Sequence, residues 1–230
     1  MYKEMRCAAV IVAGGSGSRF GGDKPKQFLE LGGLPVLGHS LRAFEHAASV
    51  DELLIVAGTE YIGLCRDIAR GMGLTKLRDV IAGGDCRQAS VFSAVKRLGD
   101  EGFDGLVLVH DAARPFVDAG AVDAVLAAAY VHGAATLGTM LTDTVKLTEG
   151  GKVLETLPRE RLFAVQTPQA FRADALFKAH RDAQCGAGYD DCQLLEKIGI
   201  SPRVVAGSPL NIKITHEIDM ILAKHIIKGM

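Results

Sequence analysis

The chain has 230 residues, 48% of them hydrophobic and 23% charged, and its 26 Lys and Arg nearly balance 27 Asp and Glu to leave a formal net charge of -1. This composition excludes disordered, collagen-like and disulfide-dense classes, and a chain of this length buries about 70% of its unfolded surface without needing a structural metal or cross-link. Without a basic excess it cannot neutralise many phosphates, which argues against a nucleic-acid partner but leaves room for a small phosphorylated ligand held by a local cluster of cations.

Lys3 and Arg6 precede an apolar run, Cys7 to Ala13, that ends in Gly14-Gly15 without a small-x-small cleavage site, so it reads as a buried strand and not as a leader. Similar runs recur at Leu53 to Val56 and Leu106 to Val109, with a weaker one at Pro202 to Val205. They lack period-2 alternation, as strands covered on both faces do. Helical patterns lie between and after them, over Val36–His46, Tyr61–Arg70, Gln88–Leu98, Ala121–Tyr130, Ala173–Ala183 and His216–Ile227, the last with Thr215 as its cap. This alternation predicts an α/β fold with a doubly wound, mainly parallel, Rossmann-like sheet. One segment departs from it: residues 144–148 and 152–156 alternate around Glu149-Gly150-Gly151 and predict a β-hairpin that cannot bury its apolar residues alone. The expected organisation is a single domain bearing a β-arm at about 143–158. The tract Ala119 to Leu141 carries Asp123 and His132 and is Ala/Gly-rich, so no membrane span is expected. Five scattered cysteines, Cys7, Cys65, Cys86, Cys185 and Cys192, include no C-x-x-C pair and point to a reducing, cytoplasmic setting.

After the first strand comes Ala13-Gly14-Gly15-Ser16-Gly17-Ser18-Arg19-Phe20-Gly21-Gly22-Asp23-Lys24-Pro25-Lys26. Its glycines allow backbone N–H groups close to phosphate oxygens, and Arg19, Lys24 and Lys26 supply charge-assisted bonds. Neither the dinucleotide fingerprint nor the Walker loop fits: glycine is missing at Phe20, and neither lysine has the required neighbours. His110-Asp111-Ala112-Ala113-Arg114-Pro115 closes the strand at Leu106 to Val109, which delivers the Asp111 carboxylate to the ligand edge of the sheet. Asp111 suits Mg²⁺ (or another divalent cation), or a structural ion pair with Arg114, which itself reads as structural. Lys213, between Ile212 and Ile214, either lies on an exposed face or meets an anion, since an unpaired buried ammonium is costly. The histidines form no metal-binding spacing.

The loop G-x-G-[ST]-R-[MF] followed by P-K resembles that of nucleotidyltransferases. Gly83-Gly84-Asp85-Cys86-Arg87-Gln88-Ala89-Ser90, His110 to Pro115, Asp143 to Lys146, Gln166 to Phe171 and Asn211 to Thr215 follow in the order found in the 2-C-methyl-D-erythritol 4-phosphate cytidylyltransferase family. The resemblance runs from about residue 7 to the C-terminus. It implies transfer of a cytidylyl group from CTP to the polyol phosphate with loss of pyrophosphate. Arg19, Lys26 and Lys213 would be catalytic cations and Asp111 would help place the metal. Arg159 and Thr167 would hold the acceptor phosphate. Ala13, Gly14, Gly15, Gly83, Gly84, Asp85 and Ser90 would cradle the nucleotide, Ser90 reading the base. The resemblance also implies homodimers paired through the arm. Two positions depart from the pattern: Leu210 replaces an acidic residue before Asn211, and Tyr189 replaces a threonine before Asp190-Asp191, a turn that therefore receives no role. The alternatives are ribitol 5-phosphate as acceptor, against which Ala112-Ala113 weigh, and a non-catalytic nucleotide-binding regulator, against which the three cations weigh.

Overall fold

The structure is a computed structural model that describes residues 2–15, 20, 24–184 and 186–229. In chain order its elements are β1 (Arg6–Ala13), β2 (Glu30–Leu31), β3 (Leu34–Pro35), α1 (Val36–His46), β4 (Glu52–Ala57), α2 (Ile62–Gly71), β5 (Leu77–Ala82), α3 (Arg87–Asp100), β6 (Gly105–Asp111) and α4 (Ala119–His132). There follow β7 (Ala134–Met140), β8 (Lys146–Glu149), β9 (Lys152–Thr156), β10 (Phe163–Arg172), α5 (Ala173–Asp182), α6 (Asp191–Lys197), β11 (Arg203–Ala206) and α7 (Glu217–Lys228).

A seven-stranded sheet runs in the order β11-β7-β10-β6-β1-β4-β5. Only β10 is antiparallel to its neighbours, so the expected mainly parallel α/β sheet is present. Alternate residues of β1 show why its apolar run is continuous. Cys7, Ala9 and Ile11 pack with Leu37, Leu41 and Phe44 of α1 and Val125 of α4, whereas Ala8 and Val10 pack with Val91 and Val95 of α3 and Leu176 of α5. Both faces are covered, and every residue of β6 is buried. α7 closes a smaller cluster with Leu31, Val36, Phe116 and Ile214.

The six expected helices occur where the apolar periodicity places them, but α7 is capped by His216, not Thr215. Asp219 accepts from the backbone N–H of both Thr215 and His216, which moves the boundary by one residue. Sequence reading missed β2, β3, β5, β7, β10 and α6. β10 interrupts its ladder with β7 between Val165 and Gln169, around Pro168, which lacks the N–H a ladder needs. That irregularity turns the Thr167 hydroxyl toward β6.

The arm β8–β9 is present, turning through Gly150 and Gly151 at φ of 53° and 77°, the positive values a tight two-residue hairpin turn requires. All residues of both strands are exposed. A register shift after Leu147 pairs Leu147 with Glu155 but Thr148 with Val153, and since the consecutive Val153 and Leu154 point to opposite sides, the arm carries apolar side chains on both faces.

His110 shows how the sheet end is pinned. Asp111 N–H donates to Thr167 Oγ1 at 3.0 Å, Thr167 Oγ1 lies 3.2 Å from His110 Nδ1, and His110 Nε2 lies 3.2 Å from the Arg114 carbonyl. Because a carbonyl only accepts, Nε2 carries the proton and Nδ1 accepts from the threonine. Burial pushes the His110 pKa down to about 3. The unfolded chain, with an ordinary histidine near 6.5, binds a proton that the folded protein refuses. The contribution is therefore complete above about pH 6.5 and declines as pH falls from there toward 3, with a limiting slope of about 1.4 kcal/mol per unit. Urea unfolding at pH 7 and pH 5 should show this loss, and His110→Gln should flatten it; an equal slope in the variant would reject the assignment.

Candidate active site

The carboxyl ends of β1 and β6 and the N-terminus of α3 enclose a cavity of about 330 Å³. Ala13, Gly14, Gly15, Gly84, Asp85 and Ser90 line it, with Gly14 close against Ser90, and Lys26, Arg87, Asp111 and Lys213 supply its charged floor. Of the residues expected around a nucleotide, Gly83 alone among those described does not line it. It lies behind this lining, where an added Cβ would come within 2.7 Å of Ser90 Oγ, so the close approach requires glycine. Ser90 is buried, with Oγ accepting from Gly84 N–H at 3.2 Å and lying 3.3 Å from the Gly84 carbonyl; here it fastens the Gly83-Gly84 turn. Arg19 lies outside the described residues.

Lys26 is half-buried at the head of a short 3₁₀ turn, Lys26–Phe28. Two contacts fix that turn: Gln27 Nε2 donates to the carbonyls of Ala13 and Gly15 at 2.6 and 3.1 Å, and Phe28 packs on Tyr61 in the core. Gln27 thus ties the glycine loop to the lysine beside it. Its place next to Pro25-Lys26 was the one signal sequence offered.

Asp111 is the centre of the charged floor. Its Oδ2 accepts from Lys213 Nζ at 2.5 Å and its Oδ1 from Arg87 Nε at 2.9 Å. Burial alone would raise the Asp111 pKa, but the Arg87 and Lys213 cations outweigh it and hold the carboxyl far below its ordinary range. Arg87 is driven the opposite way: burial lowers its pKa, and the charges of Asp111 and Asp191 more than restore it. Sequence reading singled out Asp111 and Lys213 but missed Arg87, although it opens a helix at the ligand edge. Arg114, the expected partner in a structural pair, instead donates from Nη1 to the Asn211 carbonyl at 2.8 Å and so fastens the segment that carries Lys213. Ile214 N–H donating to the Ala113 carbonyl at 2.9 Å completes that attachment.

A second cavity of about 270 Å³ shares Arg87, Asp111 and Lys213 with the first and adds Gln166, Thr167, Gln169, Tyr189 and Asp190. Thr167 lines it with its hydroxyl already bonded to Asp111 N–H and His110. Gln169 Nε2 donates to Asp190 Oδ2 at 2.7 Å. Arg159 is exposed at the base of the arm, donates to the Thr142 carbonyl at 2.8 Å and lines neither cavity.

Among the described residues no group of three or more His, Cys, Asp or Glu side chains is arranged to hold a metal ion. The donor set nevertheless fits an ion carried mainly by phosphates. Asp111 uses two of its roughly four lone-pair sites, and Mg²⁺ typically takes only one or two carboxylates beside phosphate oxygens. No helix among the described residues is long and apolar enough to cross a membrane. Cys7, Cys65 and Cys192 are buried thiols.

Residues 7–229 match the family model described as IspD: 2-C-methyl-D-erythritol 4-phosphate cytidylyltransferase. The chain is 43% identical over 228 residues to the 2-C-methyl-D-erythritol 4-phosphate cytidylyltransferase of Pelotomaculum thermopropionicum, covering 97% of this chain and 95% of that protein. It is 41% identical over 225 residues to the enzyme of the same name from Halalkalibacterium halodurans, covering 97% of each. Among solved structures, it is similar to the 4-diphosphocytidyl-2C-methyl-D-erythritol synthase of Anaerococcus prevotii, with a TM-score of 0.86 at 28% identity over 97% of this chain and 96% of that one. The Thermus thermophilus cytidylyltransferase structure gives a TM-score of 0.72 at 33% identity over 95% of this chain and 98% of that one. With its glycine loop, Gly84–Ser90 turn, Asp111 and Lys213 on one cavity and a match spanning almost its whole length, the chain belongs to the 2-C-methyl-D-erythritol 4-phosphate cytidylyltransferase family of nucleotidyltransferases.

Proposed function

We propose that the protein transfers the cytidylyl group of CTP to 2-C-methyl-D-erythritol 4-phosphate, giving 4-diphosphocytidyl-2-C-methyl-D-erythritol and pyrophosphate in the non-mevalonate isoprenoid pathway. The observation that carries this reading is the convergence of Lys26, Arg87 and Lys213 around Asp111, between the Ala13–Gly15 loop and the Gly84–Ser90 turn. CTP would fill the larger cavity. The polyol phosphate would enter the smaller one, with the shared floor under the reacting atoms. A phosphate oxygen of the acceptor attacks the α-phosphorus in line and needs no general base, so the protein's part is positioning and neutralisation of charge. Arg19, Lys26 and Lys213 would share the charge that builds on the α-phosphate and pyrophosphate. Thr167 would flank the acceptor, and Arg159 would bind its phosphate. Mg²⁺ or another divalent cation, carried on the triphosphate beside Asp111, would neutralise phosphate charge. A cytoplasmic setting accords with the thiols of Cys7, Cys65 and Cys192.

Pyrophosphate release should be much faster with CTP and methylerythritol phosphate than with ATP, GTP or ribitol 5-phosphate; preference for ribitol 5-phosphate would move the assignment to that acceptor. Lys26→Ala or Lys213→Ala should lower kcat by roughly 10²-fold with a smaller change in KM, since each charge acts most strongly in the transition state. Near-normal turnover in both would reject the mechanism.

A homodimer through the arm is part of the same proposal. Leu147, Val153 and Leu154 on the arm, with Met140, Phe163 and Val165 on β7 and β10, are exposed apolar side chains, and an isolated hairpin is marginal in water. Apolar residues on both arm faces suit an arm enclosed by a partner's equivalent surface. That contact would carry Arg159, near the arm's base, toward an acceptor site. Replacing residues 145–155 by a short Gly-Ser linker should give a monomer in sedimentation that binds CTP but uses the polyol phosphate poorly; a linker variant that remains dimeric, or is fully active as a monomer, would contradict it.

A further inference from the structure

Behind the charged floor lies a chain of groups that the transfer reaction has not yet used. Arg87 Nη1 donates to Asp191 Oδ2 at 2.8 Å, and His180 Nε2 lies 2.8 Å from Asp191 Oδ1, where the carboxylate accepts its proton. Arg87 opens α3, Asp191 opens α6 and His180 is on α5. Asp191 is 1% and His180 3% exposed, and neither lines either cavity. The His180 ring is stacked parallel to Phe92 of α3, with centroids 6.1 Å apart, so its orientation is set by packing. Nδ1 of that ring is buried without a hydrogen-bond partner among the described residues. The polar path therefore ends at His180.

We propose that Asp191 and His180 are positioning residues for cytidylyl transfer, acting through Arg87 to keep the second oxygen of Asp111 available to Lys213. The argument turns on what an arginine does beside a carboxylate. A guanidinium prefers to grip both oxygens at once, fork to fork. Here Arg87 meets Asp111 through Nε, while Asp191 holds Nη1 on the far edge of the guanidinium and so fixes the tilt of its plane. Oδ2 of Asp111 is left for Lys213. His180 in turn occupies Oδ1 of Asp191, which leaves Oδ2 to face Arg87. Without the Asp191 charge the guanidinium is free to re-tilt and bring its Nε–Nη2 edge onto both oxygens of Asp111, and Lys213 loses the anchor that aims it at the shared floor. A buried ionic chain of this kind is seldom retained for stability alone, since apolar replacements of similar volume often serve as well.

The inference rests on the assignment of Lys213 to the reaction, and a double-mutant cycle separates the two. Asp191→Asn should lower kcat about tenfold, with KM for CTP changed by less than about threefold. The same substitution should cost nothing further in a Lys213→Ala background. A purely structural clamp between α3, α5 and α6 would instead give equal losses in both backgrounds, or a loss in thermal stability with kcat intact, and either result overturns the proposal. Wild-type turnover in Lys213→Ala alone would overturn the assignment of Lys213, and the proposal with it. Should Asp191→Asn fail to fold, His180→Gln carries the test. It keeps an N–H donor at a slightly different position, and a loss in kcat of about threefold that vanishes in the Lys213→Ala background is expected; unchanged turnover in folded His180→Gln would count against the proposal.

Discussion

A carboxylate at the buried end of a central strand can stay ionised only if cations come to it, and the rest of this site follows from how Asp111 meets that requirement. It is shared, one oxygen to Arg87 and the other to Lys213. The two cations come from opposite sides of the sheet end, one from the start of α3 and one from the segment before α7, so a single carboxylate fixes their separation. That separation sets the floor common to both cavities. The backbone at Asp111 is held just as firmly, through Thr167, His110 and the Arg114 carbonyl. Arg114 and Ile214 then bind the Lys213 segment to the same strand end.

The glycine loop and the Gly83-Gly84 turn depend on this frame without adding charge to it. Ser90 closes on the turn and Gln27 on the loop, so both segments are fixed by hydrogen bonds to buried side chains. Catalytic power in such a site comes from charges that are already placed when the phosphates arrive. Preorganisation also explains why so many residues that never touch substrate are buried, hydrogen-bonded polar groups.

Much of this was legible in the sequence, and the exceptions have physical causes. β1, β4 and β6 announced themselves because both faces are buried, which forces continuous apolar runs. β10 did not, since it carries Gln166, Thr167, Pro168 and Gln169 where it meets the site, and a strand that supplies polar groups loses the apolar signal of a strand. β7 was hidden because its Ala-rich run continues the composition of α4, with only Gly133 between them. The arm was legible from Gly150-Gly151, but its register was not, since nothing in the local pattern announces the shift beside Leu147. In the site, Asp111 and Lys213 could each be singled out from local context, yet their contact spans 102 positions, and the hold of Arg87 on Asp111 spans 24. Pairing at such distances is decided by topology, to which local pattern is blind.

The central claim is that Asp111 is held ionised between two cations, and the carboxyl ¹³C resonance of Asp111, followed from pH 8 to pH 4, tests it most directly. The account predicts a shift that stays constant throughout, because the pairing holds the carboxyl well below its ordinary range. It also predicts that replacing Lys213 by alanine, which removes one of the two cations, raises the Asp111 midpoint toward the ordinary range. A midpoint at or above the ordinary aspartate value of about 3.9 in the wild-type protein would contradict it.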